Sequence, residues 1–264
     1  MAVQLINGAE FLHIPKTGGN WVKSVLEENE LISKNVGHAH ADYDRNLFRH
    51  TLNEWQHLRE SIKLVQEKLL RGFGYSENSD SGDVFRFCFV RHPLSWYESW
   101  WKYMGAKNWP YWGTQNSKKS WHPNSTLNGL GSTDFNEFVR NVVRERPGYV
   151  SELLFAYTKP GISFVGKTEN LREDLSHVLD ILGLQYDSTT VEESSKVNVS
   201  KTDQKKIRWD PNLKKTVMRL ELPALLHFGY LSAKEKNELG IEMKIPTNKA
   251  LHRRNASYNT NYLS

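Results

Sequence analysis

The sequence predicts an α/β protein in which a central, mostly parallel sheet is flanked by helices. Two observations predict it. Around Leu12–Ile14, Val84–Val90 and Ile162–Gly166, an apolar strand-like run passes through a polar or glycine-rich turn into a segment with helical periodicity. The length of 264 residues, with 38% hydrophobic and 25% charged residues, matches one soluble domain with a core of its own. The expected domain spans residues 1–264, with about 232–264, rich in Lys, Asn and Arg, as a C-terminal tail.

The first unit joins a short run ending in Leu12, His13 and Ile14 to Pro15, which stops ladder pairing, and to Gly18-Gly19, which frees the backbone to turn. Trp21, Val22, Val25 and Leu26 then recur at helical spacing. Residues 34–41 could form a second strand ending in a loop, and Leu52, Trp55, Leu58, Ile62, Val65, Leu69 and Leu70 mark an amphipathic helix that Gly72 and Gly74 end. Residues 76–82 are a polar loop.

Val84–Val90 is the clearest strand, rich in aromatic and β-branched residues, with Arg86 the only charge inside it. It runs into Arg91-His92-Pro93, and Pro93 at a first helical position opens a helix with Leu94, Tyr97, Trp100, Trp101 and Met104 on one face. Residues 105–132 read as a long structured loop dense in aromatic residues. A helix over Asp134–Arg144 begins with Asp134 and Glu137 at capping-box spacing, and Leu153–Tyr157 is a further packed segment. The third unit is the strand at Ile162–Gly166 and a helix through Leu171, Leu175, Val178, Leu179 and Leu182, stopped by Gly183. Residues 198–201 fall in a polar loop, and Pro211–Leu226 reads as helical up to an interruption at Pro223.

The net charge of +5 favours anionic ligands in a general way, but Lys and Arg alternate with acids, so charge gives no case for nucleic acid. The single cysteine, Cys88, lies in an apolar strand and implies no disulfide. The first ten residues hold Gln4, Asn7 and Glu10 and no apolar run of signal-peptide or membrane-span length, so the expectation is cytoplasmic, with no membrane segment. Three Asn-x-Ser/Thr sites, at Asn124, Asn198 and Asn255, match the glycosylation pattern, but that compartment argues against their use. No His, Cys, Asp and Glu show metal-ligand spacing.

Two constellations carry chemistry. A strand feeding a helix through Pro15–Asn20 aims backbone N–H groups and the positive end of a helix dipole at one point, which suits a phosphate, and Lys16 adds a full charge. Arg91 and Ser99 offer a second donor set, a guanidinium fork and a hydroxyl, across the next strand end. The lysine precedes both glycines, which departs from the nucleotide-triphosphate loop.

The string His13-Ile14-Pro15-Lys16-Thr17-Gly18-Gly19 resembles the 5′-phosphosulfate loop of sulfotransferases that use 3′-phosphoadenosine 5′-phosphosulfate (PAPS), most closely the branch that includes carbohydrate sulfotransferases. The Arg91-x7-Ser99 spacing resembles their 3′-phosphate motif. The resemblance implies a P-loop-kinase-like sulfotransferase fold and in-line transfer of a sulfonate from PAPS to an acceptor hydroxyl on a carbohydrate, without a metal. It implies that Pro15, Lys16, Thr17, Gly18, Gly19, Asn20 and Trp21 hold the 5′ end, with Lys16 catalytic, and that Arg91 and Ser99 hold the 3′-phosphate. Gly37-His38-Ala39-His40 is similar to the segment that supplies the catalytic base, which makes His38, directly after the glycine, the favoured candidate and His40 the close alternative. Thr168, near the adenine, and Ser200 and Lys201, in a late loop, are looser matches. Trp109, Tyr111 and Trp112 could stack on a glycan acceptor. A nucleotide kinase-like phosphotransferase and an inactive nucleotide- or glycan-binding protein are the alternatives.

Overall fold

A computed structural model of the chain describes residues 2–36, 40, 84–105, 123–194 and 207–241. The helix expected over 52–70 and most of the aromatic loop lie outside the described residues. The backbone divides into two compact units, Met1–Tyr230 and Leu231–Ser264.

The first unit is built on a five-stranded sheet of order β3-β1-β2-β4-β5. β1 (Ala2–Leu5) and β2 (Glu10–Leu12) form a hairpin, Val3 opposite Phe11. Its turn closes through Leu5 N–H to Ala9 O (2.8 Å) and Gly8 N–H to Leu5 O (2.9 Å), with Gly8 at φ 88°. After α1 (Gly19–Glu28), β3 (Ile32–Val36) runs back along the outer side of β1, antiparallel to it. β4 (Arg86–Val90) and β5 (Phe164–Lys167) then add in parallel to β2 and to one another.

The sheet is therefore mixed, with two parallel and two antiparallel pairings, and the expectation of a mostly parallel sheet is corrected. A turn as short as Ile6–Ala9 can only return the chain antiparallel, whereas parallel neighbours need a long crossover. Four residues, Ala2 to Leu5, carry too little periodicity to announce a strand.

The central strands are buried on both faces. Phe87, Cys88, Phe89 and Val90 are all closed to solvent, as a strand covered by helices on each side should be. Phe11, Phe87 and Phe89 pack with Trp21, Val22, Val25 and Leu26 of α1 and with Leu175, Val178 and Leu179 of a later helix, α5 (Leu171–Ile181). By strand alternation Cys88 and Val90 face the other way. Burial pushes the Cys88 thiol up to about 12, which makes it inert.

α2 (Pro93–Gly105) starts on Pro93 as expected and buries Leu94, Trp96, Tyr97, Trp100 and Met104. α3 (Phe135–Glu145) is capped by the Asp134 carboxylate, which accepts from Glu137 N–H at 2.8 Å; the Glu137 side chain takes a bond from Ser132 Oγ instead of closing the box. α4 (Tyr149–Tyr157) follows, then β5, α5, α6 (Ser188–Glu193), α7 (Pro211–Leu220) and α8 (Leu222–His227). Pro223 lies in the first turn of α8, where a missing N–H costs nothing, so it opens a helix as well as following one. Glu221, between α7 and α8, is fully buried and accepts from Tyr97 Oη (2.8 Å), Val150 N (3.1 Å), and Ser151 N and Oγ (2.7 Å each). Its carboxylate fastens α2 and the start of α4 to this corner.

In the second unit, part of the segment expected as a tail forms α9 (Ala233–Glu238), started by a complete capping box between Ser232 and Glu235.

Candidate active site

Because β2 and β4 are parallel neighbours, the segments that leave them at His13 and at Arg91 emerge side by side at one sheet edge. Between β2 and α1 the chain passes through two left-handed residues, Lys16 (φ 68°) and Gly18 (φ 82°). Glycine adopts this conformation freely, but a lysine there costs about 1 kcal/mol or more, so its surroundings must hold it.

They do so through the loop's carbonyls. His13 O faces His40 Nδ1 at 3.3 Å, and Ile14 O accepts from Thr17 Oγ1 at 2.9 Å. Pro15 O accepts from Trp96 Nε1 at 2.9 Å, and Lys16 O from Arg91 Nη1 at 3.2 Å. Gly18 O takes the first helical bonds, from Trp21 N (2.9 Å) and Val22 N (3.1 Å). With each of these carbonyls bonded to a protein donor, an anion approaching the loop is repelled less by them. It meets the positive end of α1, where Gly19 and Asn20 precede the intrahelical ladder.

The two glycines are required by proximity as well. A methyl on Gly18 would stand 2.5 Å from Leu171 Cδ2, and one on Gly19 would stand 1.9 Å from His13 Cδ2. The loop is thus pressed against α5 on one side and the buried His13 ring on the other.

A cavity of about 190 Å3 opens in front of the loop. Lys16, Gly18, Gly19, Asn20 and Trp21 line it together with His40, Arg91 and Ser99. The Lys16 ammonium lies 4.2 Å from the centroid of the Tyr103 ring, a cation–π distance. Arg91 is largely removed from water; that burial lowers its pKa, and the nearby carboxylates of Glu169 and Glu98 oppose the shift. A guanidinium so placed gains from an anion in the cavity. His40 packs edge-on against His13, ring centroids 4.7 Å apart, and its backbone carbonyl accepts from Tyr157 Oη. A carbonyl can only accept, so His40 Nδ1 is the donor in the contact to His13 O.

The model of the family described as "Sulfotransferase family" matches residues 9–227. The chain belongs to the sulfotransferase family. No curated protein and no solved structure matches it. The matched span of this sulfotransferase runs from the close of the first hairpin to the end of α8 and contains every cavity residue named above.

Of the residues expected at the site, Pro15, Lys16, Gly18, Gly19, Asn20, Trp21, His40, Arg91 and Ser99 are brought to the one cavity. Thr17 is buried beneath it with its hydroxyl directed to Ile14 O. Thr168 is not among the lining residues; its hydroxyl donates to Val90 O at 2.9 Å and ties the turn after β5 to the end of β4. His38, Trp109, Tyr111, Trp112, Ser200 and Lys201 lie outside the described residues. Among the described residues no group of His, Cys, Asp and Glu could hold a metal ion, and no helix is long and apolar enough to cross a membrane.

Trp100 and Tyr103, which the sequence motifs do not single out for the site, also line this cavity. Tyr103 follows Ser99 by four residues, one helical turn, so its position on the same face was available from spacing alone.

Proposed function

We propose that the protein transfers a sulfonate from PAPS to an acceptor hydroxyl on a carbohydrate. The observation that carries this reading is the joining, in one cavity, of a loop with capped carbonyls and a second, separate donor set, Arg91 and Ser99. A nucleotide with phosphates at both its 5′ and 3′ positions needs two such sites; an ordinary mononucleotide needs one.

The donor supplies the sulfonate and a bisphosphorylated leaving nucleotide. Gly18, Gly19 and Asn20 bind the 5′-phosphate at the start of α1, and Trp21 borders it. Lys16 neutralises the charge that grows on the leaving oxygen as the S–O bond breaks, and Tyr103 restrains the ammonium for that task. Arg91 and Ser99 bind the 3′-phosphate. His40 takes the acceptor proton on Nε2 as the new O–S bond forms, giving the sulfate ester and adenosine 3′,5′-bisphosphate. The Nδ1 contact to His13 O favours His40 over its neighbour His38 for this role.

Calorimetric titration with adenosine 3′,5′-bisphosphate, ADP and AMP in magnesium-free buffer tests the reading. The bisphosphate should bind at least about tenfold tighter, a difference of roughly 1.4 kcal/mol. Equal or absent binding overturns it. PAPS-dependent labelling of a glycan panel, against alcohols and phenols, then tests the acceptor class.

A further inference from the structure

Arg91 is carried on a two-residue segment between β4 and α2, and something must fix that segment if the guanidinium is to select a phosphate. The turn after β5 does so. Val90 pairs with Lys167 across the parallel strands, and Thr168 Oγ1 bonds Val90 O, which sets Glu169 directly beside the Arg91–His92 backbone. Glu169 Oε1 accepts from His92 N–H at 2.9 Å, and Oε2 accepts from Tyr230 Oη at 3.1 Å. Tyr230 in turn packs edge-on against the His92 ring, centroids 5.1 Å apart, and under Lys167 Nζ at 5.0 Å. His92 Nδ1 receives Leu94 N–H at 3.2 Å, so the same residue starts α2 and thereby places Ser99.

We propose that Glu169 is the positioning residue of the Arg91 phosphate site: its carboxylate fixes the backbone carrying Arg91 and so sets selectivity for a 3′-phosphorylated nucleotide. The inference rests on the two-ended site proposed above. The two bonds of the carboxylate go to an N–H and an O–H, which leaves the guanidinium directed to Lys16 O and the cavity. Burial and the nearness of Glu169 push the Tyr230 phenol up, so it remains protonated and a donor throughout the neutral range.

The test is the affinity for adenosine 3′,5′-bisphosphate and for AMP, by calorimetry without magnesium, in the wild type, Glu169→Ala and Glu169→Gln. Glutamine keeps an oxygen for His92 N–H and places an amide against the Tyr230 oxygen, so it should restore position without charge. Glu169→Ala should lose about tenfold in bisphosphate affinity with AMP unchanged within about twofold, and Glu169→Gln should recover most of the loss. In turnover, Glu169→Ala should raise KM for PAPS and leave kcat nearly unchanged. Unaltered selectivity in Glu169→Ala, an equal loss for both nucleotides, or a Gln variant no better than Ala overturns the proposal. If Glu169→Ala does not fold, Tyr230→Phe, which removes one anchor, should still lower bisphosphate affinity alone, and unchanged selectivity there overturns it too. A wild type that does not distinguish the nucleotides refutes the two-ended site itself, and Glu169 with it. A selective wild type beside a selective Glu169→Ala refutes only the role of Glu169.

Discussion

Replacing Gly19 by alanine should destabilise the protein, although on backbone grounds alone it should do the reverse. Gly19 is the first residue of α1, with no left-handed φ to forbid a side chain, and alanine in a helix is favoured over glycine by up to about 1 kcal/mol. The obstacle is one ring. The new methyl would stand 1.9 Å from His13 Cδ2 and 2.3 Å from Nε2, whereas ordinary contact begins near 3.4 Å, so the imidazole must withdraw by about 1.5 Å. It has little room: His13 is 6% exposed, lies over Phe11 at 6.2 Å and meets His40 at 4.7 Å. Overpacking of this kind costs about 1–3 kcal/mol, which at roughly 2–4 °C per kcal/mol for a chain of this size lowers Tm by several degrees. Thermal and urea unfolding of Gly19→Ala, His13→Ala and the double variant would measure it as a cycle. His13→Ala opens the space that the methyl needs, so the double variant should be more stable than the sum of the singles predicts, by about 1 kcal/mol or more. Gly19→Ala as stable as the wild type, or an additive cycle, would refute the close approach of His13 to the loop. Turnover gives a second reading, because a displaced His13 ring disturbs His40.

Lys16→Ala should cut kcat by roughly 100-fold or more with Tm almost unchanged, whereas Arg91→Ala should chiefly raise the Kd for adenosine 3′,5′-bisphosphate; steady-state kinetics and calorimetry separate the two. Tyr103→Phe should keep kcat and Tyr103→Ala lower it several-fold, since the ring face, not the hydroxyl, holds the Lys16 ammonium. Glu221→Ala strands the Tyr97 hydroxyl, two backbone N–H groups and the Ser151 hydroxyl in a closed corner, and urea unfolding should show a loss of about 3–5 kcal/mol. Asp210, the cap of α7, is held below the usual carboxylate range first by Leu213 N–H, against an opposing desolvation, and further by Asn212 N–H and Arg140. Its folded pKa is depressed, so its contribution is complete above the unfolded value of about 3.9 and fades as pH falls through the folded value. Asp210→Asn should therefore flatten the stability profile below about pH 4 and leave its shape near neutrality alone.

What the sequence made legible is what a local signal carries. Pro15, Gly18 and Gly19 between an apolar run and a helical period identify a turn by their own backbone chemistry, and Pro93 after β4 does the same for α2. The site came with the turn because the loop residues, Arg91 and Ser99 occupy the first turns after neighbouring strands. The mixed sheet was harder to read, since β1 is only four residues long and the one local sign of its hairpin is the Asn7-Gly8 pair in the turn. Glu169 was not legible, since its partners His92 and Tyr230 lie 77 and 61 residues away in the chain.

The same distinction explains why the loop motif alone could not establish an anion site. Its N–H groups belong to local sequence, but whether its carbonyls compete with them is decided elsewhere. Trp96, 81 residues on, removes the Pro15 acceptor, and Arg91, 75 residues on, removes that of Lys16. Both come from the β4–α2 unit, so the segment that brings the second cation also strips lone pairs from the first loop. Arg91 is consequently tied to both ends of the cavity: one of its nitrogens is directed to Lys16 O, on the residue with the strained φ of 68°, while its own backbone segment is held at His92 by Glu169. Removing the guanidinium in Arg91→Ala therefore takes a bond from Lys16 O as well as the 3′-phosphate contact, whereas Glu169→Ala leaves the guanidinium in place and should act on the 3′ side alone.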